Sequence, residues 1–409
     1  MTTSTEPSAR VSPGPRPLRL SDLGIIYFGN DWAAENRTSS HHIAARLSER
    51  APLLYIETPG LRAPKASGRD FRKLFCKLRQ AVRLPRRIGP QTWHMTMPQV
   101  PFRRLPLAGK INVALGAFLV RRALRFLGFD ATLSWFAVPH PGALAGRFQE
   151  KLIVYYCIDD YAALPDVDAL EVGRMDQDLM LRAGQVFVAS ALLLESKRKL
   201  NRSAVHAPHG VDVALFRKAS DPAYPVAEAA AYLQHPVIGF YGLIEAWIDL
   251  DLIAFLARSR PDWTFLMIGR LAVDPGPLRS LKNVMFTGPQ PYASLPGWAK
   301  AFDVALIPYR PTRQVVNSNP LKLREYLATG KPVVAVSTPE IERFAHCVRI
   351  GHGPEDMLRQ IEAALTENTP AHCDRRMEAV AAMSWEARID EVVSVVEKKL
   401  RQSAESIGS

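Results

Sequence analysis

In the stretch NPLKLREYLATGKPVVAV, residues 319–336, a lysine and a carboxylate, Lys322 and Glu325, follow directly on Asn319, Pro320 and Leu321. Asn319 suits an N-cap, Pro320 the first helical position and Gly330 the residue just past a helix. The spacing therefore predicts a helix of about three turns from 320, stopping before a buried strand. A helix start exposes free backbone N–H groups at the positive end of its dipole, which suits a diphosphate. Arg310, Arg313 and Lys322 stand near enough in sequence to add charge-assisted contacts there. Glu325 offers only acceptors, which suits a pair of vicinal hydroxyls such as a ribose presents. The same lysine and glutamate also fit an ordinary surface i,i+3 ion pair, and their spacing leaves both readings open. Leu323, Tyr326 and Leu327 share a second face, expected to pack on a sheet.

The elements that must position this helix are β-rich runs alternating with helical stretches, the pattern of parallel sheets with crossover helices. The first half of the chain offers strand candidates at 23–28, 53–57, 132–136, 152–158 and 185–189. The second half offers them at 236–241, 263–268, 284–287, 303–307 and 332–336. Each half reads as one doubly wound, Rossmann-like unit, so the expected class is α/β with two such domains facing across a cleft. The expected division is a disordered tail over 1–19, a first domain over 20–216, a Pro- and Ala-containing linker over 217–235 and a second domain over 236–384. A C-terminal helix and tail over 385–409 complete it. The stripe Ile389, Val392, Val393, Val396 and Leu400 must be buried, and the helix is expected to cross back to the first domain.

A length of 409 residues with 47% hydrophobic and 22% charged residues fits two globular domains. The four cysteines are widely spaced, with neither CxxC nor a Cys/His cluster, so a reduced compartment and no metal site are expected. The longest apolar run, 111–120, is about half of what a spanning helix needs. Net charge is +12, and residues 61–127 hold 16 Lys or Arg against one acid, Asp70, so the rest of the chain is close to balanced. Such a basic region calls for an anionic partner.

The segment 319–336 closely resembles the C-terminal motif of retaining group 1 (family 4-like) glycosyltransferases of the GT-B fold, written P-x-K-x-x-E-Y-x-A-x-G-x-P-V-V. Pro320, Lys322, Glu325, Tyr326, Ala328, Gly330, Pro332, Val333 and Val334 match it. ASALLLESK at 189–197, HAPHGVDVALF at 206–216 and FDVALIPY at 302–309 resemble further passages of the family, and the opening YFGNDWAAENRTSSHHIAARLSER resembles a bacterial surface-polysaccharide subgroup. The resemblance implies a ribose contact for Glu325 and a donor site shared by Asn317, Asn319, Pro320, Leu321, Lys322, Arg310, Arg313, Gly242 and Tyr292. The family's first glutamate of an E-x7-E pair is here Asn317. Many relatives carry an Arg and a Lys after the first strand of this domain, where GFYGLIEAWIDLD offers Glu245 and Asp249. Arg270, Arg310, Arg313 and Lys322 are the expected substitutes at the diphosphate.

The resemblance further implies an acceptor side built from Asn30, Asp31, Trp32, Arg37, His41 and His42, with His140 compared to the family's acceptor-side histidine and Asp159 and Asp160 at a neighbouring strand end. The bland alternatives are polar residues at a helix start for Arg37, His41 and His42, a proline-flanked kink for His140 and, for Asp159, a helix cap or a partner for Arg174. Arg270, Lys322, His140 and Asp159 are the expected catalytic set, with leaving-group electrostatics weighted above any base and with no metal and no cofactor beyond a UDP- or GDP-linked sugar as co-substrate. Residues 69–83 alternate cations with Phe71, Leu74, Phe75, Leu78 and Val82 at helical spacing, a pattern that suits an anionic membrane surface as well as a solvated basic face. The implied activity is transfer of a sugar, with retention, to a lipid-linked or polysaccharide acceptor by a cytoplasmic protein peripheral on the inner membrane face. No nucleic-acid partner is expected. The alternatives are a nucleotide-sugar epimerase of the same architecture and a nonenzymatic basic binding module.

Overall fold

The computed structural model describes residues 18–34, 37–61, 84–98 and 106–408. Two sheets account for the architecture. The first contains β1 (Gly24–Gly29), β2 (Leu53–Glu57), β3 (Arg86–Arg87), β4 (Thr92–Thr96), β5 (Thr132–Phe136), β6 (Leu152–Cys157), β7 (Gln185–Val188) and β8 (Ala204–His206), in the spatial order β3-β4-β2-β1-β5-β6-β7-β8. All its pairings are parallel except that of β3 with β4. The second holds β9 (Val237–Tyr241), β10 (Thr264–Ile268), β11 (Val284–Gly288), β12 (Val304–Ile307), β13 (Val333–Val336) and β14 (Arg349–Gly351), all parallel, in the order β11-β10-β9-β12-β13-β14. Both are doubly wound sheets whose strand order reverses beside the first strand, at β1/β5 and at β9/β12. Loops leaving the C-terminal ends of those strands border a ready-made crevice.

Both faces of each sheet are buried, which is why the strands read as continuous apolar runs. Phe28, Phe136 and Tyr155 pack beneath one face of the first sheet with the helix Pro106–Leu127, while Tyr27, Tyr55 and Trp135 fill the other. That second face is closed by the final helix, Trp385–Gly408, whose Trp385, Ile389, Val392, Val396 and Leu400 join the first domain's core. Arg46 of the helix Ser39–Leu47 and Arg50 just past its end fasten it through Glu386 at 2.9 Å and Asp390 at 2.6 Å. Residues 211–235 pack on the second domain, with Val211, Phe216, Ala219 and Ala230 in its core.

The candidate strands recur within a residue or two. Three short strands were not foreseen besides the two-residue β3. β4, TWHMT, alternates polar residues inside the basic stretch, and β8 and β14 have three residues each. The amphipathic pattern at 69–83 lies outside the described residues. The basic helix that is described, Pro106–Leu127, buries Ala117, Val120, Ala123 and Leu124, while Ile111, Phe118 and Phe126 remain 46%, 57% and 56% exposed. Among the described residues no helix is long and apolar enough to cross a membrane.

Candidate functional site

The helix that follows β12 runs from Leu321 to Ala328, one residue later than the motif predicts, with Pro320 at its N-cap and Gly330, at φ +73°, past its end. Leu323, Tyr326 and Leu327 are buried as the helical wheel requires, and the Tyr326 hydroxyl accepts from the backbone N–H of Tyr241 at 2.9 Å. That bond ties the helix to the end of β9. Its first turn therefore stands at the switch point of the second sheet, opposite the loops after β1 and β6.

Between the two domains lies a cavity of about 420 Å³. Asn30, Arg37, Thr38 and Ser39 line it from the loop and helix after β1, Asp159 and Tyr161 from the loop after β6, and Gly242, Leu243 and Trp247 from the loop after β9. Gly269, Gln290, Tyr292, Tyr309, Gln314 and Ser318, with Asn319 to Lys322, complete the second domain's wall. Backbone crowding explains the two glycines here. Gly242 has φ +148° and Gly269 φ +135°, and a side chain on Gly269 would strike the Gly242 carbonyl oxygen.

Lys322 lies at the centre of the second domain's wall. Its Nζ is 3.3 Å from Glu325 Oε2 and 5.4 Å from the Tyr241 ring centroid. Glu325 is only 4% exposed in its side chain and is not part of the cavity wall, so in this state Lys322 covers it. The carboxylate is ringed by Tyr241, Tyr292 and Tyr309. Their phenols are driven to higher pKa by burial first and by Glu325 second. A buried carboxylate with a movable lysine on it is equipped to exchange that lysine for ligand hydroxyls.

Several residues expected at the diphosphate are occupied elsewhere. Asp160 accepts from Arg313 Nε at 2.9 Å and from Asn317 Nδ2 at 2.8 Å, so both side chains latch the helix Arg313–Val316 to the first domain. Arg310 is drawn off the cavity by Asp251 at 2.9 Å and Asp249 at 3.7 Å, and Arg270 is exposed outside it. Asn319 is not the helix cap. Its side-chain oxygen accepts from the His209 backbone N–H at 3.3 Å and its amide donates to Glu340 at 2.9 Å, within a buried junction that also holds Arg324.

On the first domain, His41 does not point into the cavity. Its Nδ1 accepts from the Thr38 backbone N–H at 3.1 Å, which leaves Nε2–H to donate to the Asp31 carbonyl at 2.8 Å. The ring thus caps its helix and ties Thr38 to Asp31, and burial lowers its pKa. Asp31 accepts from the Ala33 N–H at 2.9 Å, Trp32 packs edge-on to Tyr55, and His140 is half-buried after β5. None of these three belongs to the cavity wall. Asp159 does belong to it, with its carboxylate pushed up to about 6 by burial despite bonds from the Asp160 N–H and Gln314.

His42, expected with His41 on the acceptor side, lies instead at the centre of the domain junction. His42 stacks on Trp385 with centroids 4.9 Å apart and lies 5.1 Å from Tyr292, joining both domains and the final helix. Burial, before nearby cations, lowers its pKa to about 3, and His209 is lowered to about 3 in the same way. His209 lines the cavity, and its buried Nδ1 has no hydrogen-bond partner. A histidine pair in HHIAARL gives no signal of which ring will meet Trp385, 343 residues away. A second cavity, of about 480 Å³, lies around Cys347, Arg349 and Arg376, away from the strand ends that converge on the first. Among the described residues no cluster of His, Cys, Asp or Glu has the arrangement of a metal site.

Residues 230–367 match the family model described as glycosyl transferases group 1. Over 256 residues the chain is 28% identical to the putative teichuronic acid biosynthesis glycosyltransferase TuaH of Bacillus subtilis (strain 168), an alignment covering 57% of this chain and 64% of that relative. Sucrose-phosphate synthase from Thermosynechococcus elongatus superposes with a TM-score of 0.68 at 13% identity, covering 92% of this chain and 98% of that one. HepE of Anabaena, solved in complex with UDP, superposes at 0.63 and 15% identity, over 92% and 100% of the two chains. Residues 230–367 thus carry the sequence pattern of the group 1 glycosyltransferases, on a chain whose two parallel-sheet domains form the GT-B fold.

Proposed function

We propose that the protein transfers a sugar, with retention, from a nucleotide diphosphate donor to a lipid-linked or polysaccharide acceptor. The observation that carries this reading is the placement of Lys322 and buried Glu325 at the start of a helix that opens onto the interdomain cavity. In this reading the diphosphate displaces Lys322 from Glu325 and takes both Lys322 and the free N–H groups of the first helical turn. Glu325, so released, accepts from the ribose hydroxyls. The departing diphosphate is stabilised by charge, and its oxygen takes the acceptor proton on the same face of the sugar, so no strong base is required. Asp159, on the opposite wall and raised to about 6, orients the acceptor hydroxyl. The match to the group 1 family and the description of TuaH favour a transferase over an epimerase.

An anionic membrane surface fits the helix Pro106–Leu127. On a 100° wheel Ile111, Phe118 and Phe126 share one exposed flank with Lys110, Arg121 and Arg125, and the helix contains no acid. An amphipathic helix of this charge lies in an anionic interface, each nearby cation contributing about 1 kcal/mol. A lipid-linked acceptor would then reach the cavity from the first domain's side, at the cytoplasmic face.

The deciding experiment offers UDP-, GDP- and ADP-linked hexoses to the purified chain with membrane lipid extract. Acceptor-dependent release of one nucleoside diphosphate, and a product whose anomeric configuration by NMR equals that of the donor, are expected. Release without sugar transfer, or an inverted product, contradicts the proposal.

A further inference from the structure

We infer that Arg37, from the first domain, supplies the second cation for the donor diphosphate, so that the nucleotide is clamped between Arg37 on one domain and Lys322 on the other. This rests on the donor reading given above. The charge inventory of the cavity leads to it. A diphosphate brings more than one negative charge into a partly enclosed site, and one lysine, itself held by Glu325, does not balance it. Arg310 is held by Asp249 and Asp251, Arg313 by Asp160, and Arg270 lies outside. The loop after β9 contributes Leu243 and Trp247 to the wall, both uncharged. The described side chains that line the cavity include two fixed cations, Arg37 and Lys322.

Arg37 is placed for this by its held neighbour Thr38. His41 ties Thr38 to Asp31 through its two ring nitrogens, and the Arg37 guanidinium lies 5.6 Å from the Trp32 ring centroid, which aims the arginine without neutralising it. Its side chain remains exposed, and no acid is paired with it among the described residues. Both Arg37 and Lys322 bear on the buried His42 imidazole, so the two cations lie within electrostatic reach of one ring that joins the domains. Two cations on facing walls repel when the cavity is empty, and an anion between them converts that repulsion into attraction across the interface. Donor binding and domain closure are thereby linked, because the ligand has higher affinity for the closed arrangement.

The test uses the full chain and isothermal titration calorimetry with UDP, GDP and ADP, then the monophosphate and nucleoside matching whichever diphosphate binds. Arg37→Met is expected to weaken diphosphate binding about tenfold to a hundredfold, the loss of one charge-assisted contact. The nucleoside should bind the variant and the wild type equally, and Arg37→Lys should recover part of the loss. Diphosphate affinity unchanged in Arg37→Met, with the wild type binding normally, overturns the clamp and leaves the donor site standing. Equal weakening of diphosphate and nucleoside also overturns it, since the arginine would then act on the base, the ribose or the fold. A wild-type chain that binds none of the three diphosphates overturns the donor reading and the clamp together.

Discussion

Asp160 is the residue whose removal most directly separates latch from ligand site. Its side chain is 7% exposed and accepts from Arg313 Nε at 2.9 Å and Asn317 Nδ2 at 2.8 Å, both across the interface between domains. The Arg313 side chain is 73% exposed, so that ion pair is screened and contributes at most about 1 kcal/mol. The Asn317 bond ends on a buried carboxylate and contributes about 1.5 to 3 kcal/mol. Asp160→Asn should therefore cost about 2 to 4 kcal/mol, mostly through Asn317. In a double-mutant cycle, Asp160→Asn and Asn317→Ala should show a coupling of about 1 to 2 kcal/mol in urea unfolding followed by two probes. Because the Asn317 amide is spent on Asp160, Asn317→Ala alone should shift nucleoside diphosphate affinity by less than about threefold, under 1 kcal/mol. Additive single effects would refute the latch. A large affinity loss in Asn317→Ala with little change in stability would return that residue to the ligand.

Two further outcomes are expected. His42 and His209 have folded pKa values of about 3 against 6.5 unfolded, so the unfolded chain takes up protons first. Their contribution to stability is complete above about pH 6.5 and is lost as pH falls toward 3, at about 1.4 kcal/mol per pH unit for each ring. Asp159, shifted up to about 6, partly offsets that loss below pH 6. His42→Phe keeps the stack on Trp385 and should make stability between pH 6 and 4.5 less steep by about one proton's worth. An unchanged slope in urea titrations would show that His42 is not the buried neutral ring described. Phe118→Ser together with Phe126→Ser should weaken sedimentation with anionic phosphatidylserine vesicles about tenfold at unchanged stability, and wild-type binding that is indifferent to salt would contradict a cationic membrane face.

The sheets were legible because both faces of each are buried, which writes the strands as apolar runs such as LLYIE and VVAV. The helix Leu321–Ala328 was legible for a different reason. Pro320 and Gly330 mark its ends, and Leu323, Tyr326 and Leu327 mark its inner face. Charge partners across the domain interface were not legible. Arg313, Asn317 and Asn319 look free in a linear reading of RQVVNSNPLK, but Asp160 lies 157 residues from Asn317 and Glu340 faces Asn319 from the short helix Pro339–Glu342. His41 shows the same limit in local form, because a histidine at the third position of a helix reads as functional until its ring is seen to cap the chain. Arg37 stands out only in the folded chain, where Arg310 and Arg313 are paired with acids.

The central claim is that Glu325 holds a nucleotide rather than merely completing a buried ion pair. Calorimetric titration of Glu325→Gln, alongside its urea unfolding, tests this most directly. The amide keeps the shape and can still bond the ribose weakly, so nucleoside diphosphate affinity should fall at least about tenfold while stability changes by less than about 1 kcal/mol. Equal loss of affinity and stability, or wild-type affinity in the variant, would contradict the account.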